Sequence, residues 1–142
     1  MKNDIDIDIT LPYHTRCLRM ISRIGEKVAE EIDCPEKIRE TLPGQLAVVL
    51  TEGLVNAIKH SKSADLETEI HVRINVSDKN LVVRIYDNGV GFDLDSIPAP
   101  CFTSNGIEDK GRGIFILRSL MDTVKYTRSD DGNVLEMRKK LA

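Results

Sequence analysis

Two alternating segments in the middle of the chain restrict the choice of fold more than any other part of the sequence. Apolar residues occupy positions 70, 72, 74 and 76 and then 81, 83 and 85, with polar residues between most of them. Side chains of a strand point alternately to its two faces, so each segment predicts a strand with one apolar face. The run Ser77-Asp78-Lys79-Asn80 joins the two segments and makes the pair a β-hairpin.

A similar alternation appears near both ends of the chain. The segment 5–9 alternates isoleucine with aspartate, which predicts a strand that Pro12 interrupts. Near the other end, segments 124–128 and 134–138 flank an Asp-Asp-Gly run, and they predict a second hairpin.

Three segments predict helices, because their apolar residues recur at steps of three and four. They are a long helix at about 14–32, a second at about 45–61 and a short one at 114–121. The dipeptide Pro43-Gly44 separates the second helix from a short piece before it.

The order of these elements predicts the architecture. Two hairpins and an N-terminal strand favour an α+β fold, a two-layer sandwich of a mixed, mostly antiparallel sheet with helices on one face. They argue against a doubly wound parallel sheet. With 142 residues, of which 41% are hydrophobic and 30% charged, we expect a single domain over residues 1–142.

Charge and targeting signals exclude several classes. The net charge is −3 and no basic stripe is present, so nucleic acid is not an expected partner. Because the N-terminus resembles neither a signal nor a transit peptide, and no apolar run reaches membrane-spanning length, we expect a cytoplasmic protein without a membrane partner. Three cysteines without CxxC spacing are interpreted as reduced thiols.

The first candidate site is the pair Glu52 and Asn56 in TEGLVNAIKHS. Residues four apart on a helix share a face, and this face lies at the rim of the apolar arc. Polar groups at a rim can face a pocket, although a solvated helix flank has the same pattern.

The second candidate is YDNGVGFD, which follows the first hairpin. A carboxylate only accepts hydrogen bonds, so Asp87 suits the exocyclic amino group of adenine and rejects the carbonyl of guanine. Gly89 and Gly91 can bend the chain and bring backbone close to a ligand. A plain β-turn remains an equal alternative.

The third candidate is KGRG before the last helix. Gly111 and Gly113 leave backbone N–H groups at a helix N-terminus, where phosphate binds, and Lys110 or Arg112 can add a charge-assisted contact. A flexible helix entry is the alternative, because the segment lacks the P-loop pattern.

Together, ExxxN, DxGxG and GxG in this order, with a long loop between the second and third, closely resemble the GHKL, or Bergerat-fold, ATP-binding superfamily. The resemblance extends from about residue 5 to 140. The N-terminal strand and the segment LPYHTRCLRMISRIGEKVAEEI look like the branch of anti-sigma-factor serine kinases.

The resemblance implies a role for each motif in binding ATP and Mg²⁺. Asn56 would be the Mg²⁺ ligand, Glu52 the general base, and Asp87 the reader of the adenine amino group, with Gly89 and Gly91 as the wall around it. The segment 92–110 would be the ATP lid. Phosphates would be contacted by Lys110, Gly111, Arg112, Gly113 and Ile114.

The resemblance also implies partners and leaves alternatives open. Members of this branch dimerise, bind a sigma factor and phosphorylate a serine of a small antagonist protein. A nucleotide-gated binding module without phosphotransfer is a second reading, and the catalytic domain of a histidine kinase is a third. One departure from the family is Gly132-Asn133, where relatives carry a Gly-Thr pair.

Overall fold

A computed structural model describes residues 4–59, 69–88, 102–103, 106–107, 112–129 and 132–142. The strands are β1 (Ile5–Pro12), β2 (Glu69–Ser77), β3 (Asn80–Asp87), β4 (Phe102–Thr103), β5 (Gly106–Ile107), β6 (Thr123–Ser129) and β7 (Gly132–Lys140). The helices are α1 (Cys17–Glu30), α2 (Glu36–Arg39), α3 (Leu42–Lys59) and α4 (Arg112–Leu120).

Five strands form the main sheet, in the order β1-β2-β3-β7-β6. Each strand of this sheet runs antiparallel to its neighbours. The predicted α+β sandwich with a mostly antiparallel sheet is therefore confirmed, and no parallel pair occurs among the described strands. β4 and β5, which the sequence did not predict, form a separate two-residue ladder inside the predicted lid segment.

The first hairpin turns through two residues of the predicted run. Asp78 and Lys79 have φ values of 49° and 61°. Positive φ at both central positions is the geometry of a type I′ turn, whose twist matches that of the two strands. The turn fixes the register, which pairs Ile74 with Val83 and buries both side chains.

The sheet has one apolar and one polar face, as the alternation predicted. Inward residues of β2 and β3 are fully buried, while the outward Arg73 donates two hydrogen bonds to Asp6 of β1, at 3.1 and 2.9 Å. Farther across the same face, Arg84 donates to Glu136 at 3.0 Å. A register shift of one residue would bury these charges, so the pattern specifies one pairing.

The second predicted helix begins earlier than expected. α3 starts at Leu42, so Pro43 and Gly44 lie in its first turn and do not separate two elements. Proline is tolerated there because the N–H it lacks would have no partner within the helix. None of the described helices has the length and apolar character needed to cross a bilayer.

Gly53 brings α3 into close contact with the sheet. A Cβ at this position would overlap Cδ1 of Ile85 on β3. Since the helix and the strand meet at this point, the residue next to Gly53 along the chain, Glu52, lies beside the crossing. The close contact thus fixes the distance between the sheet and the part of α3 that carries Glu52.

Gly53→Ala is expected to lower the free energy of unfolding by about 1–3 kcal/mol, because the added methyl group forces Ile85 and the helix apart. Urea unfolding would measure the change. Gly44→Ala is the matched control, since a Cβ there meets nothing within 4 Å. Equal stability of the two variants would contradict the close contact between α3 and β3.

Candidate functional site

Glu52 and Asn56 lie one turn apart on α3, and both side chains are partly buried. The residues around them on the helix, Gly53, Leu54 and Ala57, are buried. The pair therefore lies at the edge of the apolar arc, where the sequence predicted it.

Asp87 lies on the same face of the sheet as Ile85, the residue that Gly53 of α3 contacts. It follows Ile85 by two positions on β3, so the two side chains share a face and are separated by about 7 Å along the strand. Asp87 is buried, with 6% of its surface exposed. The structure thus places the predicted adenine-reading residue near the point where α3 crosses the sheet.

The N-terminus of α4 lies against Glu52. A Cβ on Gly113 would lie 2.9 Å from Oε2 of Glu52. The first turn of a helix carries N–H groups without helical partners and the positive end of the helix dipole. The carboxylate of Glu52 therefore lies beside the structure that the sequence predicted to bind phosphate.

Gly113→Ala is expected to displace the Glu52 side chain, because the methyl group would lie within 3 Å of its carboxylate oxygen. Any reaction that uses Glu52 should slow by roughly tenfold or more, as displacements of this size cost activity even when the fold is kept. Steady-state kinetics would measure the loss, with a thermal melt to confirm folding. Activity at the level of the unaltered chain would argue against the contact.

Asn133 of β7 holds the carboxylate of Asp87. Its Nδ2 donates a hydrogen bond of 3.0 Å to Oδ1 of Asp87, and both residues are buried. A carboxylate has about four acceptor sites, so it can accept from Asn133 and from a second donor. The departure from the family's Gly-Thr pair therefore keeps a hydrogen-bond donor at this place.

Gly132 allows the chain to pass close to the end of β3. Its φ is +133°, and a Cβ on it would lie 2.8 Å from Oδ1 of Asn88 and 3.1 Å from the carbonyl oxygen of Asp87. Both the conformation and the lack of space require glycine.

Tyr13, between β1 and α1, also lies at the end of β3. Together with Asp87, Asn88, Gly132 and Asn133 it forms the Asp87 corner. Its hydroxyl oxygen accepts a hydrogen bond of 3.0 Å from the backbone N–H of Asn88. Burial raises the pKa of the Tyr13 hydroxyl, and the nearby charge of Asp87 raises it further, against the opposing effect of the bond from Asn88. The phenol is therefore protonated at neutral pH.

A cleft of about 540 Å³ opens at this end of the sheet. Its lining residues are Asp8, Glu69, His71, Arg73, Tyr86, Asp87, Asn88, Gly132, Asn133 and Val134. Most of these side chains belong to the polar outer face, so the cleft reaches the Asp87 corner from the side opposite to α3. Glu52 borders a different recess, of about 270 Å³, between α1 and α3.

Four of the predicted site residues, Gly89, Gly91, Lys110 and Gly111, lie outside the described residues, as does most of the predicted lid. Arg112 is exposed at the first position of α4. Ile114 is buried, with 4% exposure, so only its backbone is available to a phosphate.

Sequence reasoning did not identify Tyr13 and Asn88 as parts of this corner. Their contact joins positions 75 apart. Asn88 is a variable position of DxGxG, and Tyr13 had no assigned role in the N-terminal segment. The one available signal was the position of Tyr13, directly after the first strand and before the first helix.

The donor set on α3 fits Mg²⁺. The amide oxygen of Asn56 is a hard ligand, and Mg²⁺ commonly takes one or two protein ligands together with water and substrate phosphates. Within the described part of the chain, no group of three or more His, Cys, Asp or Glu residues could hold a metal by itself. Any Mg²⁺ here would thus share its ligands with the nucleotide.

Taken together, the two-layer fold, the α3 pair beside a helix N-terminus and the buried Asp87 define an ATP-binding domain of the GHKL, or Bergerat, type. The chain belongs to the histidine kinase-like ATPase domain family, whose model matches residues 11–139. The resemblance stated from the three motifs is therefore confirmed.

The chain is similar to several curated kinases of this type. It is 29% identical over 102 residues to the serine-protein kinase RsbW of Bacillus velezensis, covering 68% of this chain and 63% of that kinase. It thus spans less than two thirds of that relative. With RsbW of Bacillus subtilis the identity is 28% over 149 residues, covering 99% of this chain and 89% of the kinase.

A solved structure has the same fold. The crystal structure of the RsbU and RsbW domains of a Mycobacterium tuberculosis protein matches with a TM-score of 0.67 and 14% identity, over 96% of this chain and 32% of that one.

Proposed function

We propose that this chain is an ATP-dependent serine protein kinase that acts as an anti-sigma factor in a partner-switching system. In this role it binds a sigma factor and phosphorylates a serine of an antagonist protein. The observation that carries the proposal is the position of Glu52, whose carboxylate lies against the N-terminus of α4. ATP binding alone does not need a carboxylate there, whereas transfer to a hydroxyl needs a base.

One group of residues binds the adenine base and a second group binds the phosphates. Asp87 accepts a hydrogen bond from the adenine amino group while Asn133 holds its other side. The N–H groups at the start of α4, with Arg112, bind phosphate. Gly89, Gly91, Lys110 and Gly111 keep the wall and phosphate roles that the family resemblance implies.

At the phosphate end, Glu52 accepts the proton of the acceptor serine as the serine oxygen attacks the γ-phosphorus. The bond from the γ-phosphorus to the β–γ bridging oxygen breaks, and ADP is the leaving group. Asn56 is the protein ligand for Mg²⁺, which when bound neutralises charge on the phosphate oxygens. Because α3 holds Glu52 and Asn56 one turn apart, one rigid helix positions both the base and the metal ligand.

A groove on α1 supports a protein partner with an acidic surface. The groove measures about 490 Å³, and four cations surround its apolar floor although the whole chain has a net charge of −3. Its lining residues are Arg16, Arg19, Met20, Arg23, Ile24, Lys27 and Val28.

We propose that the protein acts in the cytoplasm as a homodimer, as the family resemblance implies.

The test is incubation of the purified chain with γ-labelled ATP, Mg²⁺ and small proteins captured with it from its native cell. Acid-stable label on a serine supports the kinase. Tight ATP binding without transfer would instead identify a nucleotide-gated binding module, and acid-labile label would point to histidine chemistry.

A further inference from the structure

The peptide that follows Asp87 lies just beyond the regular sheet. β3 ends at Asp87, whose partner on β7 is Asn133. The ladder therefore provides no strand partner for the N–H of Asn88, which is the first backbone group past the end of the strand. Tyr13 supplies that partner, at 3.0 Å.

Three separate parts of the chain converge on this corner. Asn133 holds the carboxylate of Asp87, Gly132 passes close to the carbonyl oxygen of Asp87, and Tyr13 holds the next N–H. A carboxylate that must meet one exocyclic amino group needs a fixed backbone as well as a fixed side chain. The backbone part of that requirement falls to Tyr13.

We propose that Tyr13 is a positioning residue for recognition of the nucleotide base. Its hydroxyl fixes the peptide between Asp87 and Asn88, and so keeps the carboxylate aimed at the amino group of adenine. Tyr13 acts through Asp87 and does not itself contact the base. The inference rests on the proposed ATP-binding function and adds to it a residue outside the family's nucleotide motifs.

The role of the Tyr13 hydroxyl can be tested separately from the packing of its ring. Tyr13→Phe keeps the half-buried ring and removes only the oxygen that accepts from Asn88. Loss of one such hydrogen bond is expected to weaken ATP binding by about three- to tenfold. Isothermal titration calorimetry would measure the dissociation constant.

A double-mutant cycle separates positioning from general destabilisation. If Tyr13 acts through Asp87, Tyr13→Phe should change affinity by less than about twofold once Asp87→Asn is present. The same substitution should have no effect on purine riboside triphosphate, which lacks the 6-amino group. A purely structural role would lower affinity equally in all three cases, and that result would overturn the inference.

Tyr126→Phe is the matched control for loss of a phenol oxygen. Tyr126 belongs to β6, the edge strand of the main sheet farthest from β1, and does not line the cleft at Asp87. ATP affinity should be unchanged in this variant. If the unaltered chain binds ATP and Tyr13→Phe binds it equally well, the inference alone fails. If the unaltered chain binds no adenine nucleotide, the proposed function fails with it.

Discussion

Glu52→Gln is expected to reduce phosphate transfer to serine by about 10²- to 10⁴-fold, the usual contribution of a positioned general base. Glutamine matches glutamate in size and can still accept a hydrogen bond, but it cannot take the proton of the acceptor hydroxyl. Because Glu52 acts on the acceptor hydroxyl, while Asp87 and the N–H groups at the start of α4 hold the nucleotide, ATP affinity should change little. The expected signature is a fall in kcat with a nearly constant Kd for ATP.

Single-turnover transfer of labelled phosphate would measure the transfer rate, and calorimetry would measure the Kd for ATP. Glu36→Gln provides the control, since Glu36 is an exposed residue in the first turn of α2. A Glu52→Gln variant that kept more than a tenth of the transfer rate would remove Glu52 from the role of base.

Asp87→Asn is expected to weaken ATP binding by about 10- to 150-fold, the equivalent of losing a charge-assisted hydrogen bond of roughly 1.5–3 kcal/mol. Asn133 also determines how the new amide is oriented. Its Nδ2 already donates to this side chain, so the new amide must turn its oxygen toward Asn133 and its NH₂ toward the base. The amide would then oppose the amino group of adenine and suit the carbonyl of guanine.

Titrations with ATP and GTP would test both parts of this prediction. The ratio of GTP to ATP affinity should rise in Asp87→Asn, whereas a general loss of structure would weaken both nucleotides alike. Asp78→Asn is the control, because it also replaces an aspartate by asparagine, in a turn with φ of 49° that asparagine tolerates. An unchanged ATP affinity in Asp87→Asn would rule out the adenine role.

The parts of the fold that depend on local periodicity could be predicted from the sequence. Alternation at positions 70–85 gave the hairpin and its buried face, and the spacing of Glu52 and Asn56 placed both at the rim of α3. The start of α3 could not be placed correctly, because Pro43 reads as a breaker whether it lies before a helix or in its first turn.

Contacts between distant segments were beyond local reasoning. Neither the bond from Asn88 to Tyr13 nor the approach of Gly113 to Glu52 leaves a trace in nearby residues, because each depends on how the sheet and helices assemble. The motif order predicted which residues form the site. It did not identify what holds them in place.

The main sheet contains two hairpins, β2–β3 and β6–β7, that are joined along β3 and β7. Asp87 and Asn133 form the last pair of that joint, 46 positions apart, so forming it costs chain entropy that increases with this separation. During folding, each hairpin can form before the two meet. A nucleotide bound at Asp87 would favour the joined state, and the amides of β3 and β7 should then exchange more slowly with deuterium than those within either hairpin turn.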